Sequence, residues 1–281
     1  MKDSKRVWSV KNSEDGIKLI EFIYDKLEAK HSKKSIKRLI DQGLCSINGQ
    51  IECFSNTRLI SKNKVCFQLP EKSSTETISI LYEDKDFLAI DKPCDVVSDQ
   101  QLASTFGKNY QLIHRLDKMT SGILLIAKNQ AFKNLMIKLF SKKAVEKTYY
   151  AVVDGNVKTK GGAIENFLIK KRAPEGQTLW KGSKNPKGII AITEYETLKH
   201  GPSYSVLRLH PITGRMHQLR VHCCDMGHPV LGDFLYAKHF QYTGLVSRLM
   251  LHAYSISFKH PKTDKKITIK ATLPESFAAF I

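Results

Sequence analysis

After residue 77, the hydrophobic positions fall mostly into short runs rich in β-branched and aromatic residues, which is the pattern that strands favour. Helical spacing of apolar residues predicts helices only at 131–140 and 216–226. The predicted strands are 78–82, 87–90 and 122–127, then TYYAVVDG from Thr148, AITEYETL from Ala191, YSVLRLH from Tyr204 and YSISFKH from Tyr254. These patterns predict an α+β domain built on a mostly antiparallel sheet.

The N-terminal part has a different pattern, with apolar residues at three- and four-residue spacing that predicts two short helices. The helical positions are Ile20, Ile23 and Leu27 in the first, and Ile36, Leu39 and Ile40 in the second. Ser32 is placed to cap the second helix and Gly43 to end it. The segment CSINGQIECF then predicts two strands joined by a turn at Asn48-Gly49. This part of the chain therefore predicts two helices and a small sheet.

A polar segment separates these two patterns. LPEKSSTET, from Leu69 to Thr77, contains one proline and no periodic apolar positions, which is typical of a linker. We therefore predict a small domain at residues 1–70, a linker at 71–77 and a larger domain at 78–281.

The charge of the chain indicates a polyanionic partner. Its 281 residues include 45 Lys and Arg against 27 Asp and Glu, a formal net charge of +18. Nucleic acid is the leading partner, and an anionic lipid surface or simple solubility is the alternative. No stretch approaches the roughly 20 apolar residues of a membrane-spanning helix, and the first residues lack the apolar core of a secretory signal. We expect a cytoplasmic protein, monomeric and not bound to membranes.

Neither a cofactor nor a metal ion is predicted. The six cysteines form no C-x-x-C pair, and the chain has no glycine-rich phosphate loop. His217 and His222 lack the i, i+4 spacing of a helical zinc motif, and no carboxylate with the matching spacing accompanies them.

The stretch HRLDKMTSGILLIA, from His114 to Ala127, contains the leading candidate for chemistry. Asp117 lies in a polar turn just before an unbroken apolar strand, and such loops on rigid elements often hold reacting groups. Taken alone, an aspartate such as Asp117 would more often be a helix cap or an ordinary turn residue. The stretch resembles the catalytic motif of the RluA-type pseudouridine synthases, His-Arg-Leu-Asp-x-x-Thr-Ser-Gly, which isomerise uridine in RNA.

The resemblance extends through the larger domain in the expected order. The further matching segments are IDKP, KTYYAVVDG, AITEY, HPITGRMHQLRVH, GHPVLGD and LHAYSISFKHP. The sequence departs from the family pattern at Cys94-Asp95, where a small residue followed by glycine is usual, and at Met216, where threonine is usual. The resemblance implies an isomerase that modifies RNA without a cofactor.

The family motifs also imply roles for individual residues. Asp117 matches the catalytic aspartate, Tyr149 the tyrosine that lies against the target base, and Arg220 the arginine that pairs with the aspartate. Leu219 matches the apolar residue beside the base. Because side chains alternate along a strand, Tyr149 and its neighbour Tyr150 should face opposite sides of the sheet. Arg115, next to Asp117, is our candidate for the side chain that helps to turn the nucleotide out of its stack.

The small domain resembles the S4 RNA-binding domain over residues 16–67. Its second helix has four basic residues, Lys33, Lys34, Lys37 and Arg38, which are predicted to contact RNA unless they form an ordinary solvated face. This combination of domains implies large-subunit ribosomal RNA as substrate more often than transfer RNA. The alternatives are a noncatalytic RNA-binding or ribosome-assembly protein and an RNA N-glycosidase. Whether Asp117 attacks ribose C1′ or removes a neighbouring ribose proton stays open.

Overall fold

The computed structural model describes residues 5–41, 43–52, 54–69, 78–172, 178–237, 239–244 and 246–281. The chain divides into two compact units. The smaller unit contains residues 1–75 together with Leu231–Arg248, and the larger contains residues 76–230 and 249–281. The sequence analysis placed 231–248 in the larger domain, whereas this segment groups with the smaller unit. The predicted linker, 71–77, lies outside the described residues.

The smaller unit pairs two short helices with an antiparallel sheet. Its elements are β1 (Lys5–Ser9), α1 (Leu19–Lys26), α2 (Lys33–Asp41), β2 (Cys45–Ile47), β3 (Gln50–Ile51) and β4 (Lys64–Gln68), with a 3-10 turn at Asn12–Glu14. Among the described residues the sheet has the strand order β1-β4-β2-β3. The apolar faces of both helices pack with the sheet in one core, which includes Phe22, Ile36 and Phe67.

The predicted local features of this unit are confirmed. The Ser32 hydroxyl accepts a hydrogen bond from the Ser35 N–H at 3.2 Å, which caps α2. Asn48 and Gly49 have φ angles of 52° and 85°, as a two-residue hairpin turn requires. The sequence analysis did not predict β1 and β4, which pair with each other antiparallel.

The larger unit is built on one large mixed sheet. Its elements are β5 (Ile80–Glu83), β6 (Phe87–Lys92), α3 (Gln100–Ser104), β7 (Gln111–Leu112), β8 (Ser121–Ala127), α4 (Gln130–Ser141), β9 (Val145–Asp154), β10 (Gly161–Arg172), β11 (Thr178–Ser183), β12 (Ile189–Gly201), β13 (Tyr204–Pro211), α5 (Gln218–Asp225), β14 (Leu251–Lys259) and β15 (Lys266–Lys270), with a 3-10 turn at Glu275–Phe277. The strand order is β11-β10-β12-β13-β9-β14-β8-β6-β5, with β15 beside β14 and β7 beside β8. Neighbours run antiparallel except β14 and β8, which are parallel. The predicted α+β class is therefore confirmed.

Strand β8 is buried along its whole length, which explains its unbroken apolar run. Ile123 and Leu125 pack on one face of the sheet in a cluster with Phe132 of α4. Leu124 and Ile126 pack on the other face in a cluster that includes residues of α3. The loop that contains Asp117 thus leads into a strand that is held on both faces.

The helix predicted at 216–226 is shorter in the structure. Helix α5 begins at Gln218, because His217 has a left-handed backbone with φ 55° and ψ 16° and cannot continue the helix backwards. Residues 212–217 therefore form a loop between β13 and α5. This loop borders the site described next.

Candidate active site

A cavity of about 790 Å³ opens in the larger unit. Its walls come from the loop before β8, from α4, from β9 and from the loop before α5. Five residues predicted from the sequence line it: Arg115, Asp117, Tyr149, Leu219 and Arg220. The volume lies within the range of about 300–1,000 Å³ that is typical of small-ligand pockets.

A buried lysine side chain holds the loop that contains Asp117 in place. The ammonium group of Lys92, at the end of β6, donates hydrogen bonds to the carbonyl oxygens of Pro93 at 2.8 Å, Val96 at 2.9 Å and Lys118 at 3.2 Å. The Lys92 side chain is fully buried, so these bonds replace its hydration. Lys92 therefore joins the loop after β6 to the residue that follows Asp117.

Gly122 is required where this loop enters the sheet. Its φ angle is +107°, and a Cβ atom there would come within 2.2 Å of the Ala253 carbonyl oxygen on β14. Any side chain at this position would force β8 and β14 apart at the point where they pair. The glycine at the end of the motif thus has a structural explanation.

Two cationic or potentially cationic side chains face the Asp117 carboxylate. Arg220 Nη1 lies 3.6 Å from Asp117 Oδ2, and His217 Nε2 lies 4.0 Å from Oδ1. The Arg220 side chain is only 7% exposed, whereas that of Asp117 is 23% exposed. The Asp117 carboxylate is therefore accessible from the cavity, whereas the Arg220 guanidinium is almost completely buried.

Tyr149 borders the cavity from β9. Burial, reinforced by the negative charge of Asp117, raises the pKa of the Tyr149 hydroxyl, so this group is neutral at physiological pH. Tyr150 faces the other side of the sheet, where its ring packs edge-on against Tyr254 with centroids 4.8 Å apart. The alternation predicted from the sequence is confirmed.

Two further titratable groups line the cavity. Burial lowers the pKa of Lys147, two residues before Tyr149 on β9, to about 8, and its ammonium group donates to the Thr213 carbonyl at 3.3 Å. Burial and the nearby charge of Lys147 lower the pKa of His114 to about 4. His114 Nε2 accepts the Leu125 N–H at 3.1 Å. His114 is therefore a neutral structural group between the loop and β8.

Gln218 fixes the loop 212–217. Its Oε1 atom accepts hydrogen bonds from the Thr213 hydroxyl at 2.7 Å and the Arg215 N–H at 2.9 Å. Its Nε2 atom donates to the Ile192 carbonyl and to the Thr193 hydroxyl, both at 2.9 Å. Because Gln218 is buried and holds both ends of the loop, it sets the position of the loop beside the cavity.

Substituting Gln218 should loosen this loop. Gln218→Leu leaves the groups that bond to it without partners in a buried site, so we expect a loss of about 2–4 kcal/mol in the free energy of unfolding. Gln218→Glu keeps both acceptor bonds but places an oxygen that cannot donate against the Ile192 carbonyl, so it should also lose stability. Urea unfolding of the three proteins measures the difference, and equal stability of Gln218→Leu and wild type would contradict this assignment.

A hydrogen-bonded chain continues from Gln218 through His222. The Thr193 hydroxyl contacts His222 Nδ1 at 2.9 Å, and His222 Nε2 contacts Asn166 Oδ1 at 3.1 Å. Asn166 Nδ2 in turn donates to Asp225 at 2.9 Å. Since the amide oxygen can only accept, Nε2 carries the proton of the neutral ring, and burial lowers the pKa of His222 to about 4.

The stability of the protein should therefore fall in acid. His114 and His222 have pKa values of about 4, below the ordinary 6.5, so the unfolded chain binds more protons between these two values. Each can remove at most about 3 kcal/mol of stability as the pH falls through this window. Urea unfolding at several pH values measures the slope, and His222→Gln, which does not titrate, should show a shallower one. Identical slopes would contradict the prediction.

The comparisons with known proteins show the family of this chain. A family model described as RNA pseudouridylate synthase matches residues 83–225, a range that includes Asp117, Tyr149 and Arg220. The chain belongs to this family. It is therefore an RNA pseudouridine synthase, an isomerase.

Relatives within the family match most of the chain. The tRNA pseudouridine synthase C of Haemophilus ducreyi is 33% identical over 71% of this chain and 93% of its own length. The ribosomal large subunit pseudouridine synthase D of Vibrio cholerae is 28% identical over 95% of this chain and 91% of its own length. The solved structure of human RNA pseudouridylate synthase domain containing 1 is 31% identical, with a TM-score of 0.59, and covers 73% of this chain and 87% of its own.

The sequence analysis did not predict three of the side chains that line the cavity. His217 and Lys147 lie inside matched motifs but were not assigned to the site. Gln218, which lies between His217 and Arg220, was not assigned either. A signal was available for Lys147, because it shares a strand face with Tyr149. His217 could not be found in this way, because its position depends on the left-handed turn before α5.

The predicted RNA-binding residues of α2 lie in the smaller unit. Lys33, Lys34 and Lys37 are all exposed. The Lys33 ammonium group forms an ion pair with Glu21 and lies 5.0 Å from the centre of the Tyr24 ring, so RNA would have to compete for it. Arg38 belongs to α2, but its side chain is outside the described part of the structure.

One cluster outside the cavity has the composition of a metal site. Asp84, Asp86 and His260 each have one potential ligand atom within 4.8 Å of the others, with His260 Nε2 3.5 and 3.7 Å from the two carboxylates. However, His260 Nδ1 accepts the N–H groups of Lys262 and Thr263 at 3.3 Å, so the proton of the neutral ring must be on Nε2. Nε2 then carries a proton and is not available to ligate a metal ion, and the Lys262 ammonium group already forms an ion pair with Asp86, so the arrangement favours a charged cluster over metal ligation.

Proposed function

We propose that this enzyme isomerises specific uridines in large-subunit ribosomal RNA and that Asp117 is its catalytic carboxylate. The observation that carries this proposal is the setting of Asp117, which opens to the cavity opposite a buried Arg220 and beside Tyr149. A carboxylate that is positioned but still accessible suits an attack on ribose, or the removal of a ribose proton, far better than a structural role.

The reaction breaks the bond between ribose C1′ and uracil N1, turns the freed base and joins C1′ to C5. An electron-poor C1′ develops when the bond breaks, as at the anomeric carbon in glycoside hydrolysis, and a carboxylate can capture or stabilise it. The C5 proton is then lost and N1 takes one up, so the product is an isomer of the substrate. Asp117 would act at C1′, while Arg220 would hold the carboxylate in place.

The detached uracil must be kept from water, because hydrolysis would leave an abasic site. Tyr149 and Leu219 line the cavity and would supply apolar surface against a base. The neutral Tyr149 hydroxyl would also orient a water molecule that takes up the C5 proton. Arg115 is exposed at the cavity and would help to hold the target nucleotide out of its stack.

Two observations support ribosomal RNA as the substrate. The relative named as a large-subunit enzyme aligns with 95% of this chain, whereas the tRNA enzyme aligns with 71%. The smaller unit also presents the exposed Lys34 and Lys37 on a helix, which suits an S4-like domain that binds phosphates. We infer that this unit contributes RNA affinity, and that the enzyme acts as a monomer in the cytoplasm. No helix within the described ranges is long and apolar enough to cross a membrane.

The test is tritium release from transcripts labelled at uracil C5. Large-subunit ribosomal RNA and a pool of transfer RNAs are compared at equal concentration with the full-length protein. Faster release from the ribosomal transcript supports the proposal, and release from transfer RNA alone would replace its substrate. Free uracil in the supernatant would instead indicate an N-glycosidase, and no release from either transcript would favour a protein that only binds RNA.

A further inference from the structure

Three of the exposed large apolar side chains of the larger unit gather at one place. Val97 is 44% exposed, Ile137 43% and Met216 54%, and all three line the cavity that contains Asp117. They come from three separate elements, namely the loop after β6, helix α4 and the loop before α5. Exposed apolar residues scattered singly need no explanation, but a group around one opening indicates a binding surface. We call these three residues the apolar rim.

The backbone that holds two of these residues is fixed by buried polar side chains. Val97 follows Val96, whose carbonyl oxygen accepts a hydrogen bond from Lys92. Met216 follows Arg215, whose N–H donates to Gln218. These loops therefore hold the rim residues at the opening before any ligand arrives, so little conformational entropy would be lost on binding.

The chemistry around the rim selects nucleic acid as its partner. Arg115, Lys118 and Arg215 are also exposed and line the same cavity, so basic side chains lie close to the apolar ones. A uridine that enters the cavity stays covalently joined to its two neighbours, which must therefore lie at the opening. The phosphates of these neighbours suit the basic groups, and the flat faces of their bases suit the apolar groups.

We propose that the apolar rim binds the exposed faces of the bases next to the target uridine, so that the enzyme selects uridines in unpaired segments of RNA. The inference rests on the proposed function and adds the structural context of the substrate. In a continuous duplex the neighbouring bases stay paired across the helix and stacked along it, and their faces are not available to the rim. Met216, where the family pattern usually has threonine, makes the largest apolar contribution by exposure.

The test compares the binding of two fluorescein-labelled probes by anisotropy, namely the single strand U12 and the duplex U12·A12. The variant Val97→Ser/Ile137→Ser/Met216→Ser removes the rim. The control Ile189→Ser/Leu198→Ser removes two exposed apolar residues of the same unit that do not line the cavity. Because both sets are exposed, thermal unfolding should give nearly unchanged midpoints for both variants.

Wild type and the control variant should bind the single strand more tightly than the duplex. In the rim variant the ratio of the two affinities should be about tenfold smaller. The salt dependence of binding should be the same in all three proteins, because no phosphate contact is removed. Equal preference for the single strand in wild type and the rim variant would overturn the inference, as would a wild type without preference. Tritium release by wild type is measured separately, so a failure of the proposed function is distinguishable from a failure of the rim.

Discussion

Replacing Asp117 with asparagine should lower the rate of tritium release from ribosomal RNA by about 10⁴-fold or more. The amide has nearly the same shape as the carboxylate but can neither attack C1′ nor remove a ribose proton. The 3.6 Å ion pair with Arg220 becomes at best a hydrogen bond from the charged guanidinium to a neutral amide oxygen, and the loop stays held by Lys92. The effect should therefore appear in kcat while RNA affinity changes little.

The measurement is single-turnover release with enzyme in excess, which separates the chemical step from product release. Circular dichroism and urea unfolding check that the variant is folded. Asp95→Asn is a matched control, because Asp95 forms an ion pair with Lys118 at 2.9 Å on the same side of the protein but does not line the cavity. If Asp117→Asn kept more than a tenth of the wild-type rate, Asp117 would not be the catalytic group.

Replacing Arg220 with methionine should have the second largest effect, a loss of about 10²- to 10³-fold in kcat. The methionine fills a similar volume but removes the positive charge that lies next to the Asp117 carboxylate. Arg220 is also almost completely buried, so losing its contacts should lower the free energy of unfolding, and urea unfolding checks that the variant is still folded. We expect a folded protein with a carboxylate that is less well aimed.

Arg220→Lys separates the two contributions of the arginine. Lysine keeps the positive charge but loses the planar group with several donors, so it should recover only part of the lost rate. Rates from single-turnover release are compared for the three proteins, with RNA affinity as the control. If Arg220→Met retained wild-type kcat, the ion pair would have no part in the reaction, and Arg220 would be a structural residue only.

Strand β8 and the two tyrosines show how much of this site could be predicted from the sequence. An unbroken apolar run predicts a strand buried on both faces, and the structure confirms it for residues 121–127. The alternation along β9 separated Tyr149 from Tyr150 correctly. These predictions succeeded because they depend on local geometry, in which a period of two fixes the direction of each side chain.

The hairpin of β10 and β11 shows where the prediction failed. Its strands include many charged and polar residues, such as Glu165, Asn166, Lys170 and Lys181, so no hydrophobic run marks them. What holds β11 is its pairing with β10, which sequence patterns cannot reveal. The loop 212–217 failed for a related reason, because the left-handed backbone at His217 and the bonds of Gln218 depend on contacts distant in sequence.

The path of the chain between β13 and β14 has a consequence for protein synthesis. Residues 231–248 complete the smaller unit, although most of that unit lies at the start of the chain. Strand β14, which follows them, is inserted between β9 and β8 in the middle of the large sheet. Neither unit can therefore reach its final form while the ribosome is still translating the first 230 residues. Expressing residues 1–75 and 76–281 separately would give two incomplete units. Both units can therefore complete their folding only late in synthesis.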